Sequence, residues 1–163
     1  MTPRLDPADR LAIIELAHRY AAGVDDRDPD SVAALFTADA VLVAPDPPRH
    51  LDPVTEHHGH EGVRAALAAL APFRRTLHEV TGVVVEADAG GAPTGRVTGV
   101  AHHYLERADG LTDIRWRVRY DDRYVRTEHG WRIARRAVTV LALETAPVRQ
   151  ARGHEPPEGE GHD

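Results

Sequence analysis

Four aspartates crowd the segment YAAGVDDRDPDSVAALF, and one of them has no ready structural role. Asp28 precedes a proline and is placed to cap a helix, and Asp30 lies in the first turn, where the helix dipole favours a carboxylate. Asp26 falls on the polar side of the preceding helix. Asp25 falls on the edge of its apolar side, where a carboxylate is unfavourable unless it is hydrogen-bonded. Asp25 is therefore either a functional carboxylate or a buried turn residue that bonds backbone amides.

Histidines supply the other half of possible acid–base chemistry. His78 lies in the segment RTLHEV, where a histidine without a partner is a structural residue. A carboxylate bonded to one ring nitrogen would fix its tautomer and raise the basicity of the other nitrogen. Such a histidine takes up a proton near pH 7 and contributes a rate factor on the order of 10² to 10⁴.

His102 and His103 are adjacent in a predicted strand, so one side chain points inward and the other outward. The inward one could donate a proton to a leaving hydroxyl, or it could simply fill space. Arg136 could bind an anionic or carbonyl oxygen, although it lies in an arginine-rich segment whose side chains could all be solvated. The aromatic residues are expected in the core, some of them also lining a pocket: Tyr20, Phe36, Trp116 and Tyr120.

Other kinds of site are disfavoured. The chain has no cysteine, which excludes thiolate sites and disulfides, and its single serine, Ser31, argues against a serine hydrolase. The histidines of EHHGHE (His57, His58 and His60) lack the i, i+4 spacing of a zinc enzyme, so no metal is predicted. Because glycine-rich phosphate-binding patterns are also missing, no cofactor is expected.

Composition indicates a water-soluble domain. The chain has 163 residues, with 42% hydrophobic and 28% charged residues. Its net charge of −6 argues against nucleic acid as a partner. No apolar run approaches the roughly 18 residues of a membrane span, and the N-terminus lacks a signal-peptide core. We therefore expect a cytoplasmic protein with no membrane partner.

The first half of the sequence predicts mainly helices. Asp6-Pro7 and Asp28-Pro29 each combine a capping aspartate with a proline at the first helical position. The predicted elements are a helix from Asp6 to about Val24, a short helix through Phe36, a strand at Ala40–Ala44, a loop at Pro45–Pro53 and a helix at Gly62–Phe73.

The second half changes to a period of two, which is typical of strands. The predicted strands are Arg74–Ala87, Thr94–Arg107, Thr112–Arg126 and Gly130–Leu143. In the third, Trp116 and Tyr120 share one face, and Arg117 and Arg119 the other. The pattern predicts an α+β domain over residues 1–145, with helices on the inner face of an antiparallel meander, and a disordered tail over residues 146–163.

Four segments in this order resemble the SnoaL-like branch of the nuclear transport factor two-like superfamily. They are YAAGVDDRDPDSVAALFTADAVL, GHEGVRAALA, RTLHEVTG and DDRYVRTEHGWRIARR. The resemblance covers about Leu11 to Val140. It implies a cone-like barrel, in which a strongly curved, mostly antiparallel sheet wraps around three helices and leaves a pocket at its open end.

The resemblance also implies roles for individual residues. In dehydratases and dehydrochlorinases of this branch, a strand histidine is the general base and an aspartate at the end of the first helix orients it. These positions correspond to His78 and Asp25. A second dehydratase histidine corresponds to His102 or His103, and the arginine on the last strand of the dehydrochlorinases corresponds to Arg136.

The expected function is that of a cofactor-independent lyase or isomerase, such as a dehydratase or polyketide-type cyclase. Its substrate would be small, largely apolar and cyclic, and its base would be His78 held by Asp25. The alternative is a non-catalytic module that uses the same pocket to bind a small ligand or to assemble. The resemblance further implies a homodimer or higher homo-oligomer that forms through the outer face of the sheet.

Overall fold

One six-stranded mixed sheet organises the computed structural model, which describes residues 5–108 and 110–149. The elements in chain order are α1 (Pro7–Asp25), α2 (Pro29–Ala33), β1 (Phe36–Asp46), β2 (His50–His58), α3 (Gly59–Ala68), β3 (Arg75–Ala87), β4 (Pro93–Arg107), β5 (Gly110–Thr127) and β6 (Gly130–Val148). The strand order is β2-β1-β6-β5-β4-β3. Strands β1 and β6 are parallel, and every other pair is antiparallel. The predicted α+β class is confirmed.

Both predicted aspartate–proline helix starts are present. The Asp6 side chain accepts a hydrogen bond from the backbone N–H of Ala8 at 2.8 Å, and Asp28 accepts one from the N–H of Ser31 at 3.0 Å. A side chain that satisfies an otherwise free N–H fixes where a helix begins. The start of α1 in turn sets which of its residues face the sheet.

The core lies between α1 and the inward-facing side chains of the sheet. The buried face of α1 consists of Ile13, Leu16, Ala17, Tyr20, Ala21, Gly23 and Val24. It packs in one cluster with strand residues such as Val97, Val118 and Ile133. The alternation predicted for β5 is observed, since Val118 and Tyr120 are buried while Arg117 and Arg119 form ion pairs on the other face.

The predicted loop at Pro45–Pro53 is wrong, because β1 continues to Asp46 and β2 begins at His50. Strand β2 lies at the edge of the sheet. An edge strand tolerates proline, since the missing N–H can face away from the neighbouring strand. The proline-rich composition therefore concealed a strand that a central position would not allow.

Two helix ends also differ from the prediction. Helix α2 ends at Ala33, and Phe36 opens β1 by pairing with Ile133 of β6. Helix α3 spans Gly59–Ala68, earlier than the predicted Gly62–Phe73. Its N-cap residue, His58, makes no side-chain capping bond, so the sequence carries no start signal there.

The sheet is open, so the predicted barrel is not confirmed. Among the described residues, β2 and β3 are its two edges and do not pair with each other. Strand β6 runs to Val148, beyond the predicted domain boundary at residue 145. The rest of the predicted tail, residues 150–163, lies outside the described residues. Within the described ranges, none of the helices is long and apolar enough to cross a membrane.

Candidate active site

Asp25 and His78 form a direct hydrogen-bonded pair. Asp25 is the last residue of α1, and His78 lies near the start of β3. The Nδ1 atom of His78 is 2.7 Å from Oδ1 of Asp25, and the backbone N–H of His78 donates to Oδ2 at 2.8 Å. Because a carboxylate accepts the bond, Nδ1 carries the hydrogen and Nε2 keeps its lone pair.

Thr76 is a third partner of this carboxylate and was not predicted. Its hydroxyl donates to Oδ1 of Asp25 at 3.0 Å, and its side chain is buried. Burial by itself would raise the pKa of Asp25, but the hydrogen bonds from His78 and Thr76 lower it below the ordinary value. Asp25 is therefore a carboxylate at neutral pH, and it can stabilise a positive charge on His78.

His103 is the inward-facing member of the histidine pair on β4. Its Nδ1 atom donates to the backbone carbonyl oxygen of Ile114 at 3.1 Å, and its ring lies between the rings of Phe73 and Trp116. Burial lowers the pKa of His103 to about 4. At neutral pH its Nε2 is thus a hydrogen-bond acceptor, and it has no proton to donate to a leaving group.

His78 and His103 border the same cavity, which has a volume of about 90 Å³. Their ring centroids lie 6.0 Å apart. Of the four aromatic residues expected in the core or at a pocket, three also line it: Tyr20, Trp116 and Tyr120. The fourth, Phe36, is buried behind Tyr20, with ring centroids 6.2 Å apart. The remaining lining is aliphatic, so the cavity suits an apolar molecule with few polar groups.

Arg136 lies behind this wall in a fully buried ion pair. Its guanidinium donates to both carboxylate oxygens of Asp122, at 2.8 and 2.7 Å, and it lies over the rings of Tyr20 and Tyr120. Burial opposes its charge, but Asp122 raises the pKa of Arg136, so it remains a cation. The two tyrosines separate Arg136 from the cavity, and the expected contact with a substrate oxygen is not available in this arrangement.

His102 lies on the opposite face of the sheet. Its Nδ1 atom is 2.8 Å from Oδ2 of Asp113, and its Nε2 is 3.5 Å from Oε1 of Glu79. This is a second His–Asp pair with the same bond as the first, but it does not line the cavity. Asp113 was not predicted as its partner.

The EHHGHE segment contributes to the fold instead of to the cavity. The Nε2 atom of His60 is 3.0 Å from the carbonyl oxygen of Phe36, and His58 lies 3.4 Å from Glu56. No group of three or more histidine, cysteine, aspartate or glutamate residues is arranged to hold a metal in the part of the chain that the structure describes.

Comparisons with known proteins agree with this fold. A SnoaL-like domain model matches residues 6–137. A search of curated proteins finds no match. Among solved structures, a proposed aromatic ring hydroxylase from Novosphingobium aromaticivorans is 28% identical, with a TM-score of 0.72 over 88% of this chain and 96% of that one.

Two further solved structures are less similar in sequence and show the fold alone. A proposed scytalone dehydratase from Novosphingobium aromaticivorans is 20% identical, with a TM-score of 0.70 over 93% of this chain and 96% of that one. The hexachlorocyclohexane dehydrochlorinase LinA-type3 from Novosphingobium barchaimii is 18% identical, with a TM-score of 0.70 over 91% and 96% of the two chains. Since the family model covers most of the sequence, this chain belongs to the SnoaL-like domain family.

Proposed function

We propose that this protein is a lyase or isomerase in which His78, oriented by Asp25, removes a proton from a small, largely apolar cyclic substrate. The observation that carries the proposal is the 2.7 Å bond between Nδ1 of His78 and Oδ1 of Asp25 beside an apolar cavity. This bond leaves Nε2 of His78 as the free base. The fold supports this reaction class, since a proposed scytalone dehydratase and a hexachlorocyclohexane dehydrochlorinase, both of which would act by elimination, share it.

The proposed reaction is an elimination next to a carbonyl group. Nε2 of His78 takes a proton from the carbon beside the carbonyl, and the electron pair of that C–H bond moves into a new carbon–carbon double bond. The bond to a hydroxyl on the neighbouring carbon breaks, and its electron pair leaves with the oxygen. The protonated His78 returns its proton to this oxygen, which departs as water. The base is thereby regenerated, and no second proton donor is needed.

Asp25 and His103 have distinct supporting roles in this scheme. Asp25 stabilises the imidazolium that forms when His78 is protonated. His103 accepts a hydrogen bond from a substrate hydroxyl through Nε2, because its Nδ1 is committed to the carbonyl oxygen of Ile114. The aliphatic walls lower the local polarity, which strengthens both interactions.

The alternative of a non-catalytic binding module predicts a separated histidine and aspartate or a filled pocket. The 2.7 Å distance and the open cavity favour the enzyme. A binding module would hold cyclic ketones without converting them. Ligand binding by the wild-type chain with no turnover would therefore support this alternative.

The test replaces each of the two histidines that pair with an aspartate. We expect His78→Ala to lower the turnover of cyclic β-hydroxy ketones on the order of 10² to 10⁴-fold, because the base is lost. His102→Ala is the matched control, since His102 makes a similar bond on the other face of the sheet. Substrate loss and enone formation are followed by absorbance. Equal turnover by His78→Ala and wild type would refute the proposed function.

A further inference from the structure

A second apolar cavity adjoins the one at His78. It lies between the α1–α2 turn and the end of α3 and has a volume of about 210 Å³. Three residues line both cavities: Val24, Leu67 and Leu70. These side chains form a partition one residue thick, so the two spaces are neighbours that a small displacement would join.

The inner cavity by itself is small for a substrate. Its 90 Å³ is well below the roughly 300 to 1,000 Å³ of typical small-molecule sites. With the second cavity added, the space reaches the lower end of that range. A ring that meets His78 in the inner cavity would therefore have to extend its remaining apolar part past the partition.

Arg27 holds the partition in place. Leu70 belongs to the segment after α3, which is stabilised by short turns such as Ala71 N–H to Ala68 oxygen at 3.1 Å. The Arg27 guanidinium donates to the carbonyl oxygens of Leu70 at 2.9 Å and of Phe73 at 2.6 Å. Because the Phe73 ring also packs against His103, the same contacts connect Arg27 to the inner cavity.

The backbone of Arg27 is strained, which indicates that these contacts fix a particular geometry. Its φ angle is +59°, in the left-handed region that disfavours residues with a side chain. Such a conformation persists when surrounding interactions determine it. Glycine would adopt this backbone without strain, so Arg27→Gly removes the side-chain contacts and still suits the turn.

We propose that the second cavity is the outer chamber of the active site and that it receives an apolar substituent of the cyclic substrate. Its lining is mostly aliphatic and includes Pro29, Ala68 and Ala71, and its three charged lining residues are Arg27, Asp28 and Arg64. The substrate class is thus a ring with an alkyl chain on the side away from the reacting carbons. This inference rests on the proposed function, since it assigns both cavities to one substrate.

The first test fills the outer chamber. Ala68 lines only this cavity, whereas Ala65, which is on the same helix, lines neither cavity, so Ala68→Phe and Ala65→Phe form a matched pair. Binding of cyclohexanone and 4-butylcyclohexanone is measured by calorimetry. We expect wild type and Ala65→Phe to bind the butyl compound on the order of 10-fold more tightly, because its chain is buried. Ala68→Phe should lose that preference and keep its affinity for cyclohexanone.

The second test releases the partition. We expect Arg27→Gly to bind 4-butylcyclohexanone several-fold faster than wild type, because the Leu70–Phe73 segment is no longer held. Trp116 fluorescence in a stopped-flow instrument reports the association rate. Arg64→Ala is the control, since Arg64 lines the same chamber but pairs with Asp30 and Glu61. An association rate unchanged in Arg27→Gly would contradict the role given to Arg27.

The binding measurements test the outer chamber separately from the turnover measurements that test His78. An Ala68→Phe variant that keeps the preference for the butyl compound, or a wild-type chain without that preference, would overturn the outer chamber. Neither result depends on turnover. Conversely, normal turnover by His78→Ala would refute the proposed base and leave the binding results unaffected.

Discussion

Two histidines of this protein make nearly identical bonds to aspartates, and their surroundings decide what each can do. His78 bonds Asp25 at 2.7 Å and opens onto an apolar cavity. His102 bonds Asp113 at 2.8 Å, but its other ring nitrogen faces Glu79 at 3.5 Å on the outer face of the sheet. A histidine flanked by carboxylates on both sides has no free nitrogen for a substrate. We therefore assign the proposed proton transfer to the inner pair, His78 and Asp25.

The inner pair predicts a large effect of a nearly isosteric change. Asp25→Asn keeps the shape of the side chain but removes the charge that fixes the His78 tautomer. We expect the kcat for elimination to fall on the order of 10² to 10⁴-fold. Nitrogen NMR of the imidazole should show the hydrogen moving from Nδ1 towards Nε2. An unchanged kcat in a variant with a shifted tautomer would refute the orienting role of Asp25.

The role of Arg136 depends on its cross-strand neighbour, Asp122. The sequence predicts an oxygen-binding role for Arg136, but its guanidinium forms a buried ion pair with Asp122. The sequence does contain a signal, because the period of two in β5 places Asp122 on the same side as Tyr120 and Tyr124. An inward carboxylate requires a cation, and Arg136 is its register partner on β6.

The buried pair has a measurable signature in stability. Arg136→Leu leaves Asp122 without its cation, and we expect the free energy of unfolding to fall by about 3–5 kcal/mol. Asp122→Leu should have a similar effect. The double variant buries two apolar side chains in place of the ion pair, so its loss should be smaller than that of either single variant. Urea denaturation measures all three, and additive losses would contradict the coupling.

At the scale of elements, Asp28 caps a helix, whereas the nearby Asp26 is a surface residue. Asp28 accepts a hydrogen bond from the N–H of Ser31 at the start of α2. Asp28→Ala should therefore lower the free energy of unfolding by about 1 kcal/mol. Asp26 is exposed, and Asp26→Ala should change it by less than about 0.5 kcal/mol. Thermal denaturation of both variants distinguishes them, and equal losses would remove the capping argument.

Local chemistry explains which elements the sequence could predict. The aspartate–proline starts of α1 and α2 and the alternation of β5 depend on neighbouring residues, and all three are observed. The edge strand β2 and the uncapped start of α3 depend on contacts elsewhere in the fold. Pro53 is compatible with β2 because that strand is at the edge, and Pro47 and Pro48 fall in the turn between β1 and β2. Spatial position, which no local pattern encodes, decided these cases.

At the scale of the whole molecule, the site joins distant parts of the chain. Asp25 closes the first helix, His78 begins the meander, and His103 lies on the next strand. The parallel pairing of β1 with β6 connects the first half of the chain to its last strand. The bond between Asp25 and His78 is therefore a tertiary contact as well as the centre of the proposed site, and this site exists only in the complete fold.

Two ionisable groups of the site, the buried His103 and the hydrogen-bonded Asp25, also make the free energy of unfolding depend on pH. The unfolded chain protonates His103 near pH 6.5, whereas burial lowers the pKa of folded His103 to about 4. Between these values the unfolded state binds the additional proton. Stability from this group is complete above pH 6.5 and is lost as the pH falls, by about 3 kcal/mol at pH 4.

Asp25 adds a second loss at lower pH, because its folded pKa is lowered below 3.8 and the unfolded chain takes up that proton first. The two contributions can be separated with His103→Phe, which removes the titrating ring and keeps its size. Urea denaturation between pH 7 and 4 gives the free energy of unfolding at each pH. The slope of this free energy against pH should correspond to about one more proton taken up on unfolding by wild type than by the variant. Equal slopes would show that folded His103 titrates normally. The lowered pKa assigned to folded His103 would then be wrong.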